Sequence, residues 1–215
     1  MKFKLAAVAL AATFSFAAQA QTEIQWWHSM TGANGDRVNA MASGFNASQK
    51  DYKVVPVYKG SYGESMTAAI AAFRAGKAPN IVQVFEVGTA TMMSAKGAIV
   101  PVYKLMKDSG VKFDPKAYVS AVAGYYTDSK GNMLSFPFNS STPVFYINKD
   151  AFKKAGLDPN AAPKTWKEFA AVAGKLKASG QECVYTSGWP SWVHVENFSA
   201  WHNLPIGTME NGIAG

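Results

Sequence analysis

The sequence predicts an α/β fold built on a mostly parallel sheet, on two grounds. Segments with strand-like and helix-like patterns alternate along the chain, which is typical of this class. The 215 residues are 48% hydrophobic and 13% aromatic, with only 16% charged. Such a chain has enough apolar surface to form a packed core, which excludes intrinsic disorder as the main description.

Residues 1–20 have the three features of a secretory signal peptide. Lys2 and Lys4 give a basic start, an apolar run follows over Leu5–Ala18, and Ala18-Gln19-Ala20 forms a cleavage motif. The apolar run is shorter than the roughly 20 residues of a membrane span. We therefore expect cleavage after Ala20, which leaves 195 residues and lowers the formal net charge from +7 to +5.

The remaining charge does not indicate a nucleic-acid-binding protein, because the lysines are scattered and form no basic block. The sequence likewise predicts no metal site, since the three histidines, His28, His194 and His202, lack metal-ligand spacing. A single cysteine cannot form an internal disulfide. Because that residue, Cys183, stands in a short apolar run, we predict a buried thiol.

Strands and helices alternate clearly in the first half. Strand patterns cover Thr22–His28, Tyr52–Tyr58 and Asn80–Phe85. Pro56 lies in the second of them and indicates an edge position or a bulge. One helix is predicted after the first strand, with Asp36 as its cap, and another over Glu64–Ala75.

The second half continues with a helical stretch after Ile99–Met106 and a hairpin that turns at Lys130–Asn132. Val144–Ile147 reads as a strand. Helices are then predicted over Asp150–Ala155 and over Trp166–Ala178, the latter capped by Thr165.

Parallel sheets bind ligands at the carboxyl ends of their strands, and three features of the sequence fall there: Tyr62, Glu86 and Asn139–Thr142. Glu86 could accept hydrogen bonds from vicinal hydroxyls or cap the next helix. Tyr62 could contact a ligand or simply pack within its loop. The hydroxyls of Ser140, Ser141 and Thr142 could donate to an anion or form a polar crossover.

The segment Gly188-Trp189-Pro190-Ser191-Trp192 places two tryptophans close together, which suits stacking on the carbon faces of polyols and sugars. The other four tryptophans are predicted to fill the core: Trp26, Trp27, Trp166 and Trp201. The chain contains no nucleophile elbow, P-loop or Gly-x-Gly-x-x-Gly motif. These absences favour a binding protein over an enzyme.

Several motifs together indicate a family. The stretch Ser135–Phe152 and the segment Lys164–Phe169 resemble the extracellular solute-binding proteins of ABC importers, of the maltose-binding type. Three further segments give a narrower resemblance, to the members that bind sn-glycerol 3-phosphate: Ile24–Met30, Lys59–Tyr62 and Gln83–Thr89. The Trp189 segment belongs to the same narrower resemblance.

The resemblance implies a periplasmic-binding-protein type II fold, with an N-terminal α/β lobe, a hinge and an incomplete C-terminal lobe. We expect the lobe, the hinge and the incomplete lobe at residues 21–138, 139–143 and 144–215. The second lobe is expected to be incomplete because family members are roughly twice as long. The resemblance also implies a periplasmic protein that needs no cofactor and acts as a monomer. Its partners would be an ABC permease and ATPase.

The ligand implied is sn-glycerol 3-phosphate, with glycerophosphodiesters as further candidates. By resemblance, Tyr62 and Ser141 would hydrogen-bond the phosphate, Glu86 would accept from the glycerol hydroxyls, and Trp189 would stack on the glycerol carbons. Two alternatives stay open: an oligosaccharide-binding relative, and an exported phosphodiester or glycoside hydrolase. The hydrolase would need a second acidic residue near Glu86, and none stands at an obvious strand end.

Overall fold

A computed structural model describes residues 21–85, 88–89, 91–92, 95 and 97–211. The predicted signal peptide and Glu86 therefore lie outside the described residues. The chain divides between Ile99 and Val100 into two compact units, each described separately below. The lobe and hinge boundaries expected from the family resemblance stay predictions.

The first unit is built on a parallel sheet of strands β1 (Thr22–His28), β2 (Tyr52–Tyr58) and β3 (Ile81–Val82) in the order β2-β1-β3. Residues 22–28 pair in register with 52–58 along their whole length. The first two predicted strands are thus confirmed to the residue, and Pro56 lies on an edge strand as predicted. β3 is shorter than predicted, although the Gln83 amide still donates to the Trp27 carbonyl at 2.9 Å.

Two helices connect these strands: α1 (Gly32–Ser48) and α2 (Tyr62–Arg74). The crossovers keep all three strands parallel. Val38 and Ala42 of α1 are buried, as are Ser65 and Ala69 of α2. The predicted cap at Asp36 is wrong, because α1 already begins at Gly32, with Thr31 in the extended N-cap conformation. Asp36 then falls inside the helix on an exposed face.

The second unit is mainly helical. Its α-helices are α3 (Val102–Asp108), α4 (Ser120–Ala123), α5 (Lys149–Lys154), α6 (Trp166–Ala178), α7 (Asn197–Trp201) and α8 (Thr208–Asn211). Short 3₁₀-helices cover Pro115–Ala117 and Gly124–Tyr126, and a π-helix covers Pro190–Glu196. The cap predicted for α6 is confirmed, since the Thr165 hydroxyl accepts from the Glu168 amide at 3.1 Å.

The predicted hairpin is present in a reduced form. Thr127 pairs antiparallel with Met133 through a single bridge. The Asp128 carboxylate closes the turn by accepting from the amides of Lys130 at 2.9 Å and Asn132 at 2.8 Å. The Asn132 side-chain amide also donates to this carboxylate, at 3.0 Å. This hydrogen bond, and after it those from the two backbone amides, stabilise the charged form and lower the pKa of Asp128. The Tyr103 amide donates to the carbonyl of the buried Met133 and so joins α3 to the hairpin.

Val144–Ile147 does not form the predicted strand. It has no regular structure, and no backbone hydrogen bond links it to another described residue. A β-strand needs a neighbouring strand to satisfy its amides and carbonyls, and no described segment supplies one here. Its side chains are largely exposed, with Tyr146 at 88%.

Three predictions of burial are also wrong. Cys183 is exposed, and its thiol contacts the Tyr185 carbonyl at 3.2 Å. Trp166 and Trp201 are exposed to 59% and 82%, although the Trp166 ring meets Phe198 of α7 edge-on at 5.6 Å. Trp27, by contrast, is buried as predicted. Within the described residues, no helix is both long enough and apolar enough to cross a membrane.

Candidate functional site

The carboxyl edge of the parallel sheet gathers three loops and the beginnings of two helices. Since β1 is the central strand, the loop after His28 lies between the loops that follow β2 and β3. The Lys59 amide donates to the His28 carbonyl at 2.9 Å. On the other side, the Ser29 amide donates to the Gln83 side chain at 3.0 Å. All three loops are therefore held together by hydrogen bonds at one edge.

Tyr62 lies at this edge, as the sequence predicted, and a capping box fixes its backbone. It is the first residue of α2. The Glu64 carboxylate accepts from the Ser61 amide at 2.6 Å, and the Ser61 hydroxyl accepts from the Glu64 amide at 3.5 Å. The hydrogen bonds from Ser61 lower the pKa of Glu64. Gly60 makes the turn into this cap with φ +83°, a conformation that favours glycine.

The ring of Tyr62 is half-buried and stacks on Phe85. The two ring centroids are 5.2 Å apart and the rings are nearly parallel, at 4°. Phe85 is the residue that immediately precedes Glu86, which lies outside the described residues. The stacking ties the beginning of α2 to the chain after β3. Prediction from sequence did not find this contact, because it depends on the strand order.

Lys59 is a further charged residue at this edge, and prediction from sequence did not single it out. Its ammonium lies 3.9 Å from the centroid of the Trp27 ring, within range of a cation–π interaction. Trp27 is buried, so its ring is a rigid support. The position of Lys59 directly after β2 was the available signal. A cation at this edge favours binding of an anion.

The α1 N-terminus adds a second source of positive potential. α1 has no side-chain cap and no acidic residue in its first turn. The first amides and the helix dipole therefore present partial positive charge at the carboxyl edge of the sheet.

His28 lies at the same edge and is almost fully buried, with 4% of its surface exposed. Burial disfavours the imidazolium form and lowers the pKa of His28. The Met30 amide donates to Nδ1 at 3.2 Å, so this nitrogen is the acceptor and the neutral ring carries its proton on Nε2. His28 thus presents a neutral ring to its surroundings, with Trp26 and Tyr58 each 6.1 Å away between ring centroids.

Ser141 and Trp189 belong to the second unit. Ser141 is exposed in an irregular segment. Trp189 is 60% exposed and meets the Trp192 ring edge-on at 5.8 Å. Its backbone is left-handed, with φ +48° and ψ +66°, which costs a non-glycine residue about 1–2 kcal/mol. The described part of the chain holds no group of three or more His, Cys, Asp or Glu residues that could bind a metal ion.

Comparison with known proteins identifies the family. Residues 30–214 match the model of the bacterial extracellular solute-binding proteins. The chain belongs to this family. The resemblance noted in the sequence is therefore confirmed.

Two curated relatives are similar over nearly the whole chain. The sn-glycerol-3-phosphate-binding periplasmic protein UgpB of Yersinia pestis is 60% identical over 209 residues, which is 97% of this chain and 47% of the relative. The protein of the same name from Escherichia coli O1:K1 is 55% identical over 216 residues, covering 100% of this chain and 49% of the relative. The chain thus spans about half the length of the curated relatives it matches.

Solved structures support the predicted fold. The cyclic alpha-maltosyl-1,6-maltose binding protein from Arthrobacter globiformis is similar with a TM-score of 0.57 at 22% identity, over 74% of this chain and 39% of that one. CpMnBP1 with mannotriose bound is similar with a TM-score of 0.56 at 25% identity, over 73% of this chain and 38% of that one. The predicted class, a periplasmic solute-binding fold represented in part, is confirmed.

Proposed function

We propose that this protein is the solute-binding component of an ABC import system that captures sn-glycerol 3-phosphate in the periplasm. The observation that carries the proposal is the 60% identity, over 97% of the chain, to a relative named for binding this compound. Glycerophosphodiesters are further candidate ligands. The first 20 residues act as a cleaved signal peptide, and the protein works as a monomer without a cofactor or catalytic activity.

The phosphate is bound by neutral donors assisted by nearby positive potential. Tyr62 donates from the start of α2, where the capping box holds its backbone. Lys59 and the α1 N-terminus add positive potential at the same edge. Ser141 is the remaining phosphate donor. Several aligned hydroxyls and amides can replace the hydration of a phosphate when the ligand is enclosed.

The glycerol end of the ligand is read by different chemistry. Glu86 accepts hydrogen bonds from the two free hydroxyls, and Trp189 covers the carbons. A carboxylate repels phosphate, so Glu86 acts at the hydroxyl end of the ligand. This polarity selects against inorganic phosphate, which has no glycerol hydroxyls to donate. Closure around the ligand then creates the surface that the permease and its ATPase recognise.

The test uses the protein purified from the periplasm of its own host, at the length it has there. Isothermal titration with sn-glycerol 3-phosphate should give micromolar or tighter binding. Glycerol and inorganic phosphate, each carrying half of the recognised chemistry, should bind at least about 100-fold more weakly. Equal affinity for inorganic phosphate would contradict the role of Glu86. N-terminal sequencing should begin at Gln21.

The same titration separates a second candidate, an oligosaccharide-binding protein. The similar solved structures include a maltosyl-maltose-binding protein and a mannotriose complex, and the exposed pair Trp189 and Trp192 would also suit stacking on a sugar. Binding of maltotriose, with no heat from sn-glycerol 3-phosphate, would replace the first proposal by the second.

A further inference from the structure

The chain leaves β3 through Gln83 and reaches Phe85 two residues later, and this exit is anchored to β1 and its loop. The Gln83 amide donates to the Trp27 carbonyl at 2.9 Å, which continues the pairing with β1 beyond the end of β3. The Gln83 side chain accepts from the Ser29 amide at 3.0 Å in a partly buried hydrogen bond. The backbone that leads to Phe85 is therefore fixed on the side of the central strand.

The chain that follows Phe85 is anchored to α2. The Phe85 carbonyl accepts from the Gly88 amide at 3.0 Å and from the Thr89 hydroxyl at 3.1 Å. Gly88 is buried, and a Cβ added to it would lie 2.5 Å from the Met66 sulfur of α2 and 3.2 Å from Cε1 of Phe85. Glycine permits this close approach. Because Phe85 is held on both sides along the chain, its ring is a fixed surface at the start of α2.

The ring of Tyr62 lies flat on this surface, with 5.2 Å between the centroids and 4° between the ring planes. The capping box fixes the backbone at Tyr62 through Ser61 and Glu64, but neither of its hydrogen bonds restricts rotation of the ring. A tyrosine side chain has two torsion angles, so the direction of its hydroxyl depends on what the ring contacts. A stacked partner favours one orientation by roughly two- to tenfold.

We propose that Phe85 is a positioning residue of the ligand site, because its ring orients the phenol of Tyr62 so that the hydroxyl is ready to donate to the phosphate. The inference rests on the proposed function, in which Tyr62 is a phosphate donor. The Phe85 side chain has no hydrogen-bonding group and acts through Tyr62. A donor that is already oriented loses less conformational entropy when the ligand binds, so its contact contributes more to affinity.

A double-variant cycle measures this role, using the protein purified for the titration described above. Phe85→Leu keeps an apolar side chain but removes the stacked ring, and should weaken binding of sn-glycerol 3-phosphate by about three- to tenfold. Tyr62→Phe keeps the ring and removes the hydroxyl. In that background Phe85→Leu should change the affinity by less than about twofold, because the oriented donor is gone. A residue needed only for stability would weaken binding equally in both backgrounds.

Three further variants complete the comparison. Phe85→Tyr keeps an aromatic ring for stacking and should bind like the wild type. Phe73→Leu makes the same substitution near the other end of α2, at a side chain that is 46% exposed, and should leave the affinity unchanged. Phe85→Ile also lacks a ring and should repeat the pattern of Phe85→Leu, so the conclusion does not depend on the folding of one variant.

The orientation of the Tyr62 ring can also be measured without a ligand. In NMR spectra of tyrosine-labelled protein, the Tyr62 ring signals are those that disappear in Tyr62→Phe. Stacking on an aromatic face shifts ring-proton signals upfield. The Tyr62 signals should therefore move downfield in Phe85→Leu and keep their positions in Phe73→Leu.

Equal losses of affinity for Phe85→Leu in the two backgrounds would overturn the inference. Wild-type affinity of Phe85→Leu, or unmoved Tyr62 ring signals in that variant, would overturn it as well. Failure of the wild type to bind sn-glycerol 3-phosphate is a different result, which contradicts the proposed function. Ring signals that move in Phe85→Leu would then still support the orientation of Tyr62 by Phe85.

Discussion

Replacing Gly60 by alanine should disrupt the capping box that holds Tyr62. The backbone at Gly60 has φ +83°, and an added Cβ would lie 2.4 Å from Glu64 Oε2. This oxygen is the one that accepts from the Ser61 amide, so the carboxylate must leave its position. The left-handed conformation alone costs alanine about 1–2 kcal/mol. Loss of the cap at Ser61 adds about 1 kcal/mol.

The expected total is therefore about 2–3 kcal/mol in the free energy of opening α2. Hydrogen exchange at the α2 amides measures this quantity locally, which is useful because the chain has two units. Gly76→Ala is the matched control. Gly76 also has a left-handed backbone, with φ +67°, but nothing lies within 4 Å of its added Cβ. Gly76→Ala should therefore show only the cost of the left-handed backbone, about 1–2 kcal/mol.

The double variant Gly60→Ala, Glu64→Ala separates the clash from the backbone strain. Without the Glu64 carboxylate there is nothing for the new methyl group to displace. When Gly60→Ala is added to Glu64→Ala, the further loss in the free energy of opening α2 should then equal the loss caused by Gly76→Ala. Equal costs for the two glycine substitutions in the wild-type background would refute the reasoning. Because Tyr62 follows the cap directly, affinity for sn-glycerol 3-phosphate should fall in Gly60→Ala and not in Gly76→Ala.

Three other substitutions have equally definite outcomes. Trp189→Ala should weaken ligand binding by about 1–3 kcal/mol in a titration, whereas Trp201→Ala, at a tryptophan that is even more exposed, should leave the affinity unchanged. Unchanged affinity in Trp189→Ala would exclude stacking. His28 has a lowered pKa when folded, so the unfolded chain binds the proton more readily. The stability that depends on its neutral form is complete above pH about 6.5 and is lost as pH falls toward the folded pKa. His28→Gln should flatten this dependence in urea titrations, and a steeper profile would contradict it. Asp128→Ala should destabilise the hairpin by about 1 kcal/mol, while Asp128→Asn, which keeps one acceptor oxygen, should lose less. Exchange at the Asn132 amide measures both, and equal protection in all three proteins would exclude the turn-closing role.

Local patterns were sufficient to predict the elements whose determinants lie within the chain segment itself. The alternation in Thr22–His28 and Tyr52–Tyr58 gave both strands to the residue. Thr165 and the start of α6 were likewise predicted, because a side chain that accepts from the third amide of the helix is a local device. The cap predicted at Asp36 was wrong, because α1 begins four residues earlier, at Gly32, without a side-chain cap that the sequence could signal.

Burial was predicted less well, because it depends on which elements meet. Val144–Ile147 has the composition of a strand, yet composition cannot supply a partner strand. Cys183 and Trp201 are apolar residues whose exposure follows from the absence of a covering element among the described residues. An apolar sequence indicates what a residue can pack against, and tertiary structure decides whether it does.

The part of the candidate site that follows from strand–helix alternation alone was predicted from the sequence. The rule that ligands bind at carboxyl ends of parallel strands led to Tyr62, which lies at that edge. The cation–π contact of Lys59 and the stacking of Phe85 could not be predicted. The first joins the residue after β2 to Trp27 of β1, and the second joins the start of α2 to the chain after β3, so both depend on the order β2-β1-β3.

The backbone conformation of Trp189 is a stronger argument for a ligand role than the fact that this residue is a tryptophan. A left-handed backbone costs this residue about 1–2 kcal/mol, and 60% exposure of the side chain returns little of that cost through burial. Glycine would remove the strain without losing a packed core residue. Retention of a strained, exposed indole beside Pro190 is therefore poorly explained by stability of the second unit alone. It is explained if the ring is held in advance in the orientation that the carbon face of a ligand requires, because less conformational entropy is then lost on binding.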